Sequence, residues 1–358
     1  MLYSLSGLSR SSLFRSASFT NKRSNAMLVI AAGLAIAAAS STASARFAIQ
    51  EGQASQSTQS LDVQNTTSPA TDNEGAAILT DSQERSIGGS LSLYGGHIFS
   101  HDLDDGGDVA ITRAGAKASI TFPIATRNAF TVSLGAEGSW YDFSNTTGFG
   151  AGNAEPWEDI RIYSLEASYF ASLNDRWSLI LGASIESGME EGADFNDSLT
   201  YTGLVGATYS VSKSLSLGLG AYFGTRLEDD AYIFPIPFIQ WQIDEKWRLG
   251  SRPSTRGGRF ALSYQATETV AVFAFAGFES RDFRLDDEGA NADGIGRDRR
   301  IPVGLGVDWS PNPQISVDVI AGVDAWSQYT LDDSDGDEIS EQDGEVAPFI
   351  GAQIAFQF

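Results

Sequence analysis

The stretch Val346–Phe358 reads VAPFIGAQIAFQF, an alternation carried to its last residue. Val346, Pro348, Ile350, Ala352, Ile354, Phe356 and Phe358 fall on one side. Ala347, Gly351, Gln353, Ala355 and Gln357 fall on the other, where Phe349 is the single large apolar side chain. A period of two belongs to a β-strand, whose successive side chains point to opposite faces. The final residues of a soluble protein usually fray into water. A strand that alternates up to a terminal phenylalanine has a use for both faces.

The same pattern fills the chain from about Gly88. Phe130, Val132, Leu134, Ala136 and Trp140 oppose Thr131, Ser133, Gly135, Glu137 and Ser139, and Leu215, Leu217, Leu219, Ala221 and Phe223 oppose Ser214, Ser216, Gly218 and Gly220. About fourteen such segments begin near residues 89, 109, 129, 160, 176, 198, 214, 231, 246, 258, 269, 300, 313 and 346, with twelve as the alternative count. The connections alternate in length. Long polar ones fall at 100–108, 143–158, 187–197, 284–299 and 328–345, and short ones at 123–128, 172–175, 212–213, 244–245, 266–268 and 310–312. Long loops at one end and short turns at the other predict an antiparallel up-and-down transmembrane β-barrel over 88–358, its short turns facing the periplasm. A soluble β-sandwich also alternates. Here, however, the second face is Gly, Ser, Thr and Ala with isolated charges rather than a solvated Lys/Glu surface. Trp140, Trp177, Trp241, Trp247 and Trp309 share the apolar faces at strand ends, as an interface girdle would. Trp326 breaks the parity and Trp157 falls in a loop. A mean hydropathy of −0.13 agrees with a barrel, since only alternate residues meet lipid.

Composition bounds the remainder. Residues 1–45 hold Arg10, Arg15, Lys22 and Arg23, no acid, the apolar run MLVIAAGLAIAAA (27–39) and a small-residue site ending at Ala45, the layout of a cleaved signal peptide. Residues 46–87 are rich in Gln, Ser, Thr and Asn without apolar period and read as a disordered periplasmic tail. After cleavage 19 Lys+Arg stand against 46 Asp+Glu, a net −27 that repels nucleic acid. With no Cys and two His, thiol chemistry, disulfides and most imidazole chemistry are excluded, and no cofactor is called for.

Two stretches resemble known groups. Val346–Phe358 resembles the C-terminal signal of bacterial outer-membrane barrels. The resemblance implies recognition of Phe358, Phe356 and Ile354 by the outer-membrane assembly machinery, closure of the last strand on the first, and residence in the outer membrane of a Gram-negative-type bacterium. YIFPIPFIQWQIDEKWRLG (Tyr232–Gly250) is similar to a strand–turn–strand signature of a family of outer-membrane β-barrels of unknown function, domain of unknown function 6268. This resemblance implies a fold and a location, and no activity.

Candidate sites were weighed against structural roles. His97 and His101 lie at a strand end, where i,i+4 spacing has no metal-binding meaning. The acidic stretch 332–345 departs from the EF-hand pattern, with Glu338 where glycine is required and Gly344 at the bidentate position. Charges on the inner faces are more informative: Arg113, Lys117, Glu137, Glu166, Glu186, Arg226, Arg259, Glu279, Arg281, Asp308, Asp318 and Asp324. Facing lipid at mid-depth, each would cost a few kcal/mol, so they are expected to line a polar lumen or pair within it. The expectation is a monomeric, non-catalytic barrel in contact with lipid bilayer and assembly machinery, passing small hydrophilic solutes with a mild cation preference. The alternative is an occluded barrel that displays its acidic loops as a structural or surface-interaction protein.

Overall fold

The computed structural model describes residues 87–125, 127–150, 155–254 and 256–358. The expected signal peptide and all but the last residue of the expected tail lie outside them. The strands are β1 (Gly88–Asp102), β2 (Asp108–Ala125), β3 (Asn128–Ser144), β4 (Asp159–Ser172), β5 (Trp177–Glu190), β6 (Leu199–Ser210) and β7 (Leu215–Gly224). They continue with β8 (Tyr232–Gln242), β9 (Trp247–Ser254), β10 (Gly257–Gln265), β11 (Val270–Arg284), β12 (Ile295–Asn312), β13 (Ile315–Asp332), β14 (Glu338–Gly344) and β15 (Ala347–Gln357). Each pairs antiparallel with its sequence neighbour, apart from β14 and β15, which lie end to end along β13 and share one place in the ring. The result is a closed fourteen-place barrel. β15 closes it against β1, from Ser90↔Gln357 to Ile98↔Phe349. The backbones of Gly89 and Phe358 exchange hydrogen bonds of 2.7 and 2.9 Å, so the pairing runs to the last residue. Lipid has nothing to offer an open sheet edge, which is why such a ring must close.

The lipid-facing stripe is the one the alternation marks. Leu134, Leu165, Leu181, Val205, Leu219, Leu305 and Ile350 are exposed on the outer wall. At the turn end, Trp177, Trp241, Trp247 and Trp309 are also exposed, and Trp177 and Trp247 lie 4.9–5.0 Å from the rings of Tyr209 and Tyr264. The turns there share one chemistry. A side-chain oxygen at the start of the turn accepts backbone N–H groups two or three residues on: Asn174 from Arg176 and Trp177, Asp244 from Lys246 and Trp247, Thr267 from Thr269 and Val270, Asn312 from Gln314. These side chains reproduce a backbone turn, which is what Asn, Asp and Thr offer at such sites.

The loop end departs from the expectation in three ways. β12 begins at Ile295, ahead of the expected 300, because four consecutive charged residues, Arg297–Arg300, mask its alternation. The stretch 328–345 is a continuation of β13 and β14 into a hairpin rather than a loop. Between β9 and β10 the chain turns directly from Ser254 to Gly257, whose φ of +141° suits only glycine, so the long-loop series is broken there. Trp326 breaks parity because it sits at a bulge: Pro302 faces Asp324 and Arg300 faces Ser327, leaving Ala325 and Trp326 against Ile301.

The wall is consequently uneven in height. β12 and β13 have 18 residues each, whereas β9 has 8 and β10 has 9. At about 3.3 Å per residue and a tilt of about 40°, β9 climbs about 19 Å along the barrel axis, less than the apolar band of about 25 Å. Above it β11 passes over five strands and pairs with β5 directly, Arg284 with Met189. The loop end is therefore a smaller collar made of β11–β15 and β1–β5, with β6–β10 stopping lower.

Candidate functional site: the lumen and its two sides

The collar is filled. Ile98, Leu103, Val109, Ile111, Tyr141, Phe143, Phe149, Trp157, Ile160, Ile162, Phe283, Leu285, Tyr329, Leu331 and Ala347 form one buried cluster, and none of them comes from β6–β10. Trp157, from the β3–β4 loop, is 1% exposed, with the rings of Phe143, Phe149, Tyr141 and Phe283 at 5.3–6.0 Å, mostly edge-on. Edge-to-face packing of this kind adds to the burial of each ring. His101 is turned inward by a bulge after Ile98 and bonds the Tyr329 hydroxyl at 2.9 Å, whereas His97 contacts Thr112 on the outer face. The two histidines thus point to opposite sides of the wall and form no joint site.

Beneath the collar lies a belt of ion pairs. Asp298, wholly buried, receives Arg113, the Tyr141 hydroxyl at 2.7 Å and Arg300 at 2.5 Å, and Arg300 also reaches Asp324 at 2.8 Å. Glu137 receives Arg281 at 2.9 Å, Arg256 at 3.0 Å and the Tyr94 hydroxyl at 2.9 Å. Arg256 leaves the β9–β10 turn, crosses the lumen and also meets Glu186 at 3.2 Å. Arg281 holds Glu279 at 2.8 Å, and Lys117 holds Glu166 at 2.6 Å. Buried charges survive only when paired in this way.

Below the belt is a cavity of about 260 Å³, lined in part by Lys117, Glu166, Arg252, Arg259, Phe275 and Asp318. Arg252 and Arg259 stand directly opposite each other on β9 and β10, and the Arg259 guanidinium lies 5.1 Å from the Phe275 ring. Beyond β11, Asp308, Asp318 and Gln353 form a row on β12, β13 and β15, and the two carboxylates lie within electrostatic reach of Arg252, Asp318 of Arg259 as well. Apolar side chains share this depth. Leu204, Tyr222, Ile236 and Phe238 form a second buried cluster, and Phe238 lies where side chains at Gly206 and Gly220 would stand, so the glycines seat an inward ring.

Of the residues expected to face inward, Arg113, Lys117, Glu137, Glu166, Arg259, Glu279, Arg281, Asp318 and Asp324 line the cavity. Glu186 reaches the belt through Arg256, and Asp308 joins the row below. Arg226 does not belong with them. It follows β7 in the loop 225–231 and pairs with Asp229 at 3.0 Å, because β7 ends two residues earlier, at Gly224. Sequence reasoning missed Arg252, Arg256, Asp298, Arg300 and the collar aromatics Phe149 and Trp157. Asp298 and Arg300 lay within or beside an apparent loop, and Arg256 acts from a turn. The available signal was a buried-type residue, Trp157, in a polar connection.

The sequence has no match among curated proteins. Several solved structures share the barrel architecture. The P. putida toluene transporter TodX is 9% identical, with 77% of this chain and 90% of that one covered at a TM-score of 0.37. A Pseudomonas aeruginosa FadL homologue is 14% identical, with coverages of 76% and 89% and a TM-score of 0.36. LpxR from Salmonella typhimurium is 11% identical, with coverages of 75% and 99% and a TM-score of 0.31. The barrel resembles those of Gram-negative outer-membrane proteins, and scores at this level carry no argument about activity. The closed ring, the lipid-facing stripe and the YIFPIPFIQWQ strand coincide with a family model, a domain of unknown function (DUF6268), that matches residues 100–357. The chain belongs to the DUF6268 family.

Proposed function

We propose that the protein is a non-catalytic, channel-like outer-membrane barrel that is shut at its outer mouth in the state described here. The observation that carries this reading is the collar core: fifteen buried apolar residues occupy the space through which a straight aqueous pore would run. The lower lumen, by contrast, holds a cavity whose charged side chains, among them Lys117, Glu166, Arg252, Arg259 and Asp318, stand beside apolar ones such as Phe275, and those charges suit small hydrophilic solutes reaching it from the periplasmic side. The acidic outer loops favour cations over anions once the collar opens. The occluded alternative, a barrel that only displays its loops, draws on the same core and is separated from the channel by experiment. In planar bilayers the intact protein is expected to be nearly silent, and Phe149→Ala/Trp157→Ala to carry a cation-favouring current. A double variant that keeps heat-modifiable gel migration, the mark of a folded barrel, yet passes no current would refute the channel reading and leave the occluded one standing.

Export and assembly follow from the same reading. Deleting Phe358, whose backbone closes the ring on Gly89, is expected to lower the amount of folded barrel in the outer membrane while periplasmic export persists. Unchanged surface levels would remove Phe358 from the assembly signal.

A further inference from the structure

One titratable side chain is built into the plug itself. His97, Phe99 and His101 would share the outer face of β1 if the strand ran straight. The register shift between Ile98 and His101 turns the last of them inward, where it is 6% exposed at the edge of the collar core. A slot is prepared for it. Gly344 lacks the side chain whose first carbon would stand 2.9 Å from the ring, and Val109 faces it on β2. His97 pairs with Thr112, and Thr112 with Trp140, the girdle residue at the loop end. His101, four residues further out, therefore lies beyond the apolar band.

The hydrogen bonds fix which nitrogen holds the proton. The Phe99 carbonyl, 3.2 Å from Nδ1, can only accept, so Nδ1–H donates to it. Nε2 of the neutral ring is then an acceptor, and the wholly buried Tyr329 hydroxyl donates to it at 2.9 Å. A second proton, on Nε2, would set donor against donor at this contact and place a full charge beside an apolar core.

The surroundings decide where a charged ring goes. β12 presents Arg300, which repels it, and Asp298, whose oxygens already receive Arg113, Arg300 and the Tyr141 hydroxyl. β13 presents Tyr329, and β1 ends one residue on at Asp102, which is exposed at the rim. Burial, above all, lowers the His101 pKa from its ordinary 6.5; the Phe99 carbonyl raises it, Arg300 lowers it, and Asp298 and Asp102 raise it. A buried value below that of the free ring means that the closed collar keeps this support above pH 6.5. The support fades as pH falls below 6.5 toward the lower, buried value.

From His101 the contacts lead to the middle of the plug. Its ring lies 5.9 Å from Tyr329, Tyr329 lies 6.2 Å from Phe143, and Phe143 lies 5.3 Å from Trp157. Withdrawing the imidazole would leave an unfilled slot and an unpaired buried hydroxyl beside these rings, and both weaken packing.

We propose that His101 is an acid-sensitive latch of the collar: the neutral ring holds it shut, and protonation drives the ring from its slot toward Asp102 and the water at the rim, loosening the aromatic plug. This deepens the channel reading by naming what opens the mouth. It rests on that reading for current alone, because the loosening is measured without it.

The chain has no cysteine, so introduced ones report cleanly. Ala347, wholly buried in the collar core, is the first probe position, and Leu331 in the same core is a second. In the detergent-solubilised protein, modification of Ala347→Cys by a charged methanethiosulfonate is normalised at each pH to the reaction of glutathione. It is expected to quicken at least tenfold between pH 7.5 and pH 5. Adding His101→Gln, whose amide oxygen accepts the Tyr329 hydroxyl but takes no proton, is expected to abolish the rise. Adding His97→Gln, on the outer face, is expected to leave it. Heat-modifiable migration shows that each variant is folded. No rise at either cysteine, or an equal rise in the presence of His101→Gln, would overturn the latch. In planar bilayers the protein is expected to gain current at pH 5, and His101→Gln to stay silent. If Phe149→Ala/Trp157→Ala conducts while acid leaves the thiols unmoved, the latch fails and the channel stands. If the thiols answer to His101 while neither the acidified protein nor the double variant conducts, the failure is that of the channel.

Discussion

The two sides of this barrel obey the same alternation and yet differ in what their inner faces hold. On the tall side, β11–β15 and β1–β5, strands outgrow the bilayer and fill the space between them with aromatic side chains and a belt of ion pairs. On the low side, β6–β10 stop early, carry proline on a free edge and leave Phe234 in the open. The difference shows that a barrel wall need not be mechanically uniform. Buried charge networks and an apolar core fix one arc, whereas in the other β8 and β9 meet at a seam of only three residue pairs.

The comparison predicts its largest effect at the tall side. Asp298→Ala removes the carboxylate on which Arg113 and Arg300 converge. Leaving buried guanidinium groups unpaired is expected to cost about 3–5 kcal/mol, read as a lower urea midpoint for loss of the heat-modifiable form. A change below about 1 kcal/mol would mean that the belt is hydrated and the tall side is no stiffer than the other.

Next comes a test of the lipid face shared by both sides. Leu219, on β7, is exposed on the outer wall. Leu219→Arg is expected to cost about 2–4 kcal/mol at mid-depth and much less nearer an interface, measured by the same midpoint. A neutral result would place β7 outside the apolar band.

The low side makes a subtler demand. In an ordinary strand Pro→Ala restores a ladder bond and stabilises. At Pro237 the restored N–H would face the seam, and an unsatisfied amide there is expected to cost about 1–3 kcal/mol. A stabilised Pro237→Ala barrel would mean that β8 and β9 zip together, and the contrast between the sides would lose its structural basis.

These expectations show how much the sequence reveals. The segment starts near 89, 109, 129, 160, 214 and 269 fall within about two residues of the observed strands, because the period-two signal is strong wherever one face meets lipid. It fails where both faces carry charge, as at Arg297–Arg300, and where a strand leaves the membrane and no longer needs an apolar side, as in the β13–β14 hairpin. Inner-face charges such as Glu137 and Arg281 are legible because a charge in an alternating strand has only one place to go. Their partners are not: Arg256 reaches Glu137 from a turn, a contact across the lumen between residues more than a hundred positions apart. The proline pair in IFPIPF was visible from the start, but its meaning depends on which edge lacks a partner, and that is a property of register.

The smallest effect lies where the two arcs use the same device with different chemistry. Asn174, in the β4–β5 turn of the tall side, and Asp244, in the β8–β9 turn at the foot of the seam, each accept two backbone N–H groups at 2.8–2.9 Å and each lead into a tryptophan. The amides of Lys246 and then Trp247 hold the Asp244 carboxyl below its ordinary value of 3.8. A folded-state value below the unfolded one means that the charged form supports the turn above pH 3.8 and that the support is lost as pH falls through the lower, folded value. Amide hydrogen exchange at Trp247 is therefore expected to quicken, relative to Trp177, as pH is lowered from about 5 to about 2, after correction for intrinsic exchange. Asn174 does not titrate, so the Trp177 amide provides the reference within the same molecule. In Asp244→Asn the two amides should behave alike across the range. An acid-induced difference that survives that substitution would have to arise elsewhere at the foot of the seam, in the short pairing of β8 with β9 rather than in the turn that joins them.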